Sequence, residues 1–151
     1  MKTITTLLLL LVCFNVLSTF GQQRLELSLK KDTDEPTSKT EHVYVIEIKN
    51  VSNNLGAFYL KAKNTSCNQN KIAQVNLNQE LLQINNLRIE SNSITLKGKE
   101  SYDFIVKISR PLNTKLNTWN CTEITVVSQD MRLSSNSLII KTFIPNPKDF
   151  N

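Results

Sequence analysis

The sequence predicts an all-β chain: one antiparallel β-sandwich of seven to nine strands behind a cleaved export signal. Three observations predict it. Apolar residues recur at every second position along most of the chain. The breaks between these runs carry Asn, Asp, Ser, Pro and Gly, the residues of turns. The 151-residue chain, less its first 21 residues, has the length of a single domain. A closed barrel is the structural alternative.

Residues 1–21 have the layout of a secretory signal. Lys2 is the positive start, and residues 4–17 are apolar except for Thr5, Thr6 and Asn15. Ser18-Thr19-Phe20-Gly21 ends on a small residue, so cleavage is expected after Gly21. The apolar run is shorter than the ~20 residues that span a bilayer, and no transmembrane anchor is expected after processing. Cys13 follows the bulky Val12 and does not close the apolar region, as a lipid-anchor cysteine would. It leaves with the signal. The domain is then residues 22–151, in a secreted, periplasmic or cell-surface compartment.

Within the domain, Leu25, Leu27 and Leu29 alternate with polar residues, Tyr44, Ile46 and Ile48 share one face, and Phe58, Leu60 and Ala62 do the same. Shorter alternations follow at Ala73/Val75/Leu77, Leu87/Ile89 and Ile94/Leu96. The cleanest is Tyr102, Phe104, Val106 and Ile108. Residues 121–127 and 138–144 are rich in β-branched side chains, which suit strands. Turn residues fill 32–40, 53–54, 64–70, 97–99, 110–117 and 134–137. Residues 78–84 hint instead at a short helical turn. No repeat of solenoid length is present.

Two stretches carry a resemblance. Val45-Ile46-Glu47-Ile48-Lys49-Asn50-Val51-Ser52-Asn53 resembles the strand and Asn-x-Ser turn of bacterial secreted immunoglobulin-like domains. Ile94-Thr95-Leu96-Lys97-Gly98-Lys99-Glu100-Ser101, followed by residues 102–108, resembles their apolar strand, Gly-x-Glu-Ser turn and alternating strand. Such domains are appended to glycoside hydrolases and surface-layer proteins as spacers, adhesion modules or sugar-binding modules. The resemblance implies an immunoglobulin-like sandwich and an exported location. Pro111 through Trp119 is longer and more polar than that pattern. Phe143-Ile144-Pro145-Asn146-Pro147 ends the last strand, because proline cannot extend a ladder.

The chemistry of the chain excludes more than it suggests. The formal charge of +5 is spread over single and paired lysines, without the concentrated basic face that nucleic acid needs. His42 is the only histidine, so neither a Ser-His-Asp mechanism nor a zinc site of about four ligands has its material. Three glycines leave no phosphate-cradling loop. Asp32, Asp34 and Glu35 lack the calcium-loop spacing. Glu100 and Asp103 point to opposite faces of one strand. No enzyme, no cofactor and no metal site is expected.

Cys67 and Cys121 remain after processing, and an exported pair is expected to oxidise. Trp119, the single tryptophan, has two readings: a ring packed near the disulfide, or an exposed platform for sugar. The platform would draw on Tyr59, Asn117 and Asn120, with Asn113 nearby. Asn50, Asn64 and Asn120 each begin an N-glycosylation pattern. Two functions therefore stand. One is a non-catalytic secreted or envelope domain with a structural or protein-binding role, using an edge strand and an envelope or extracellular protein as partner. The other is a small carbohydrate-binding module around Trp119, with polysaccharide as ligand.

Overall fold

The alternating runs become two four-stranded sheets. The computed structural model describes residues 25–67, 73–85, 89 and 92–150; the expected signal and its Gly21 cleavage point lie outside these. The strands are β1 (Leu25–Lys31), β2 (Glu41–Asn50), β3 (Gly56–Thr65), β4 (Asn78–Gln83), β5 (Ser93–Leu96), β6 (Ser101–Ser109), β7 (Thr118–Ser128) and β8 (Leu138–Ile144). One sheet has the order β1-β2-β6-β4 and the other β5-β3-β7-β8. Every pairing between strands is antiparallel.

Register puts the apolar phases face to face. Tyr44, Ile46 and Ile48 of β2 lie opposite Val106, Phe104 and Tyr102 of β6. Leu60 and Ala62 of β3 lie opposite Val126 and Ile124 of β7. Ile46, Phe104, Leu60, Ile124 and Val126 are essentially inaccessible to solvent and form one core between the sheets. Each such side chain contributes roughly 1.5–3 kcal/mol of burial free energy.

Three sequence expectations need correction. Residues 78–84 are not a helical turn, because Asn78–Gln83 forms β4, paired with β6 from Asn78↔Ser109 to Gln83↔Phe104. A helix that short is marginal in water, and the open edge of β6 supplies a full ladder instead. Ala73, Val75 and Leu77 do not form a strand of their own. Gln74 makes an isolated parallel bridge to Trp119. That bridge and β8 give β7 partners on both sides at its start, and β7 begins at Thr118, ahead of Cys121. Leu29 is in phase with Leu25 and Leu27 but is 41% exposed, because the β1 register shifts between Leu29 and Lys31.

The two stretches that carried the immunoglobulin-like resemblance meet in space. The buried Asn50 carboxamide accepts from the N–H and hydroxyl of Ser52 at 3.1 and 2.7 Å. Its amide donates to the carbonyls of Asn54, Leu96 and Lys97 at 2.8, 3.3 and 3.0 Å. Lys99 N–H donates to the Ser52 carbonyl at 3.0 Å. The β2–β3 and β5–β6 turns are two halves of one hydrogen-bonded corner.

Candidate functional site

Cys67 and Cys121 form a disulfide, with Cα atoms 5.4 Å apart and a sequence separation of 54. Thr65 pairs with Cys121, so the bond ties the end of β3 to β7 within one sheet. Cys121 shares its β7 phase with Trp119, Glu123 and Val127, which is opposite to the core phase of Ile124 and Val126. The disulfide therefore sits on the outer side of the sheet. Both cysteines are nonetheless buried.

Trp119 lies on the same outer face, half-buried, its ring 5.0 Å from that of Phe143 and tilted by 43°. The Trp119 backbone N–H donates to the Ala73 carbonyl and the Trp119 carbonyl accepts from Val75 N–H, both at 2.9 Å. Tyr59 does not join it. Tyr59 pairs with Val127, and eight residues of β7 at ~3.4 Å each separate that point from Trp119 by about 27 Å. Asn117 adopts φ 53°, and its carboxamide holds the C-terminal segment, accepting from Asn146 N–H at 2.9 Å and donating to Asp149 at 3.2 Å. Asn120 is turned into the sandwich and buried. It donates to Asn64 Oδ1 and the Val75 carbonyl at 2.6 and 2.9 Å and accepts from the Thr122 hydroxyl at 2.9 Å. The residues proposed for one sugar platform are thus dispersed, and Asn117 and Asn120 are engaged within the fold.

His42 is buried, and its Nδ1 has no hydrogen-bond partner among the described residues. Burial pushes its imidazole below the ordinary range, against the opposing effect of a hydrogen bond to the Lys39 backbone. Asp34 pairs with Lys31 at 2.6 Å, and Asp32 accepts from Thr33 N–H at 2.7 Å. Among the described residues no group of three or more His, Cys, Asp or Glu side chains is placed to hold a metal.

The features that alternation alone could not locate are the sheet edges. The hydrogen-bonding phase follows from a few recorded bonds. Gln129 N–H donates to the Ala57 carbonyl, so odd-numbered β7 residues bond toward β3 and even-numbered ones toward β8. With Thr118 opposite Ile144, the N–H and C=O groups of Ile139, Lys141 and Phe143 point away from the sheet, because successive residues of an antiparallel strand alternate. Among the described residues nothing pairs with them. Ile139 is 47% exposed. The β1 edge is different: Asn136 donates to the Leu27 carbonyl at 2.9 Å and accepts from Leu27 N–H at 2.8 Å.

No family model matches the chain, and no curated protein does either. Solved structures do match. A FixG-related protein from Vibrio parahaemolyticus superposes with a TM-score of 0.56 at 9% identity, over 82% of this chain and 97% of that one. A family 123 glycoside hydrolase from Clostridium perfringens gives 0.51 at 9% identity, over 81% of this chain and 27% of the hydrolase. The human CEP192 PapD-like domain 7 gives 0.47 at 11% identity. The fold is immunoglobulin-like. At these identities the likeness is one of fold alone. Within it, the disulfide is compatible with export, and among the described residues no helix is long and apolar enough to cross a membrane.

Proposed function

We propose that this chain is a non-catalytic, exported immunoglobulin-like domain that captures an extended segment of an envelope or extracellular protein along β8. The observation that carries this reading is the open edge at Ile139, Lys141 and Phe143. A row of unpaired N–H and C=O groups is a template for an added strand, and strand addition derives its affinity from main-chain hydrogen bonds. Lys141 is the single charge of β8, and Pro145 stops further pairing, so the edge is guarded at its centre and end. The buried single histidine supports the absence of catalysis. The disulfide supports export.

The test is hydrogen exchange on the oxidised domain, with and without extended peptides in which valine alternates with threonine. Binding at β8 slows exchange at Ile139, Lys141 and Phe143. Lys141→Pro removes the central edge donor while leaving the ladder to β7 intact, and it abolishes protection at the two amides that remain, Ile139 and Phe143. Peptides that bind without protecting these three amides, or that bind the proline variant equally well, overturn the reading.

A further inference from the structure

On the far side of the same sheet a second pair of strand edges faces an open slot. β5 begins only at Ser93, opposite Tyr59, because Asn92 before it turns the chain at φ 51° and gives its N–H to the Ile89 carbonyl. β3 continues to Thr65, and among the described residues no strand lies on that side. The phase fixed by the Gln129–Ala57 bond points the Leu60 carbonyl and both backbone groups of Ala62 into this space. The opposite wall is β4, the edge of the other sheet. Asn50 N–H donates to the Glu100 carbonyl and Arg110 N–H to the Thr40 carbonyl. Even-numbered β6 residues therefore bond toward β2 and odd-numbered ones toward β4. Asn78, which lies opposite Ser109, then turns to β6, and the backbone of Gln79 turns to the slot. The slot has a volume of about 630 Å³.

Its charges are uneven. Lys61 and Lys63 both project to the outer side of β3, flanking Ala62, and two residues along a strand separate them by about 6.8 Å. Lys63 pairs with Glu123 at 3.0 Å, and across the slot Glu80 is paired with Lys107 at 2.9 Å. Lys61 is exposed and makes no ion pair among the described residues. Among the described residues the lining contains no aromatic ring on which a sugar could stack.

We propose that this slot is a second binding site, for an extended acidic peptide segment that takes up the line of β5 along β3 and pairs with Ala62. Its carboxylates, at alternate positions, lie beside Lys61 and Lys63, and the residue between them faces inward opposite Ala62. Opposite charges on neighbouring strands attract, and like charges repel by a similar amount. The segment is therefore recognised by its charge pattern as well as by its backbone. The site is separate from the β8 edge and does not depend on it.

The experiment is an amide-resolved NMR titration of the oxidised domain with an extended peptide alternating glutamate and valine, beside its lysine–valine counterpart. The glutamate peptide shifts Ala62, Lys61 and Gln79 and leaves Ile139, Lys141 and Phe143 unmoved. Lys61→Glu, at an exposed position without an ion pair, keeps the spectrum of the fold. It weakens the glutamate peptide about fivefold, the effect of exchanging an attractive for a repulsive cross-strand pair, and strengthens the lysine peptide. Equal binding of the two peptides overturns the proposal. So does a response confined to β8, which bears on that edge alone. So does a response to polygalacturonate with none to peptide, which assigns the slot to acidic sugar.

Discussion

The Asn136 carboxamide closes a two-point ring on the backbone of Leu27, donating to its carbonyl at 2.9 Å and accepting from its N–H at 2.8 Å. A side chain 109 positions away thus occupies the place of a neighbouring strand. It caps the β1 edge and joins the two sheets at that seam. Asn64 does the same to Leu77, accepting from its N–H and donating to its carbonyl, both at 3.0 Å.

Replacing Asn136 by alanine leaves both Leu27 groups without their partner. The expected cost is about 1–3 kcal/mol, the range for part-buried polar groups left unsatisfied, read as a lower urea midpoint at unchanged slope. Amide exchange at Leu27 accelerates while that of residues in β6 follows global stability only. An unchanged Leu27 amide would show that water replaces the carboxamide without loss.

The disulfide closes a loop of 54 residues' separation, and the chain-entropy relation assigns it about 4 kcal/mol. Cys67→Ser with Cys121→Ser lowers the unfolding free energy by about that amount, measured beside the oxidised protein at one pH. A loss under ~1 kcal/mol would mean that the Asn64–Asn120–Thr122 network holds the same strands together, with the cross-link adding little.

These asparagines mark the boundary of what the sequence makes legible. β-branched content located β7 and β8, and period-two alternation located β1, β2, β3, β5 and β6 because each buries one face. It missed β4, where Leu81 and Leu82 are adjacent and both buried, so neither period stands out. It placed asparagines in turns, where Asn50 lies at the end of β2. It could not foresee that Asn64 and Asn120 fill the interior, because their partners at Leu77 and Val75 are brought near only by the tertiary fold. For the same reason the glycosylation patterns at Asn50, Asn64 and Asn120 fall on carboxamides already hydrogen-bonded. The open edges are also a property of sheet order, which no local pattern encodes.

His42 gives the fold a pH dependence with a definite sign. Burial lowers its folded pKa below histidine's ordinary ~6.5, so in the acid range the unfolded chain binds a proton that the folded chain refuses. Stability is complete above pH ~6.5 and declines as pH falls from there toward the depressed folded value. Asp32 and Glu35 on the preceding loop moderate the shift, and Arg110 reinforces it. Unfolding free energies between pH 7.5 and 5 measure the slope. His42→Phe removes the titrating group and flattens it. An equal slope in both proteins would place the dependence elsewhere.

Gly98 is required by contact. A Cβ there would press on the Asn53 backbone carbonyl, closer than any real side chain sits. Gly98→Ala therefore separates the two turns that Asn50 joins, at an expected 1–3 kcal/mol, the usual range for overpacking. At Gly56 the obstacle is the Phe58 ring, a side chain that can shift, and Gly56→Ala costs less. Thermal denaturation of the two variants gives the order, and the reverse order would contradict a rigid corner.

Trp119 reports on the outer face without a label. Half-buried against Phe143, it is expected to emit between the maxima of core and free tryptophan and to be partly quenched by iodide. Phe143→Ala removes the ring beside it, and aromatic pairs of this kind contribute about 0.5–1.5 kcal/mol. Emission then moves to the red and quenching rises, while the β7 backbone stays clasped by Ala73 and Val75. Fully shielded emission in the parent protein would mean that something covers this face in solution. Fully exposed emission would mean that the Phe143 contact does not persist, and a stacking role for the ring would regain its footing.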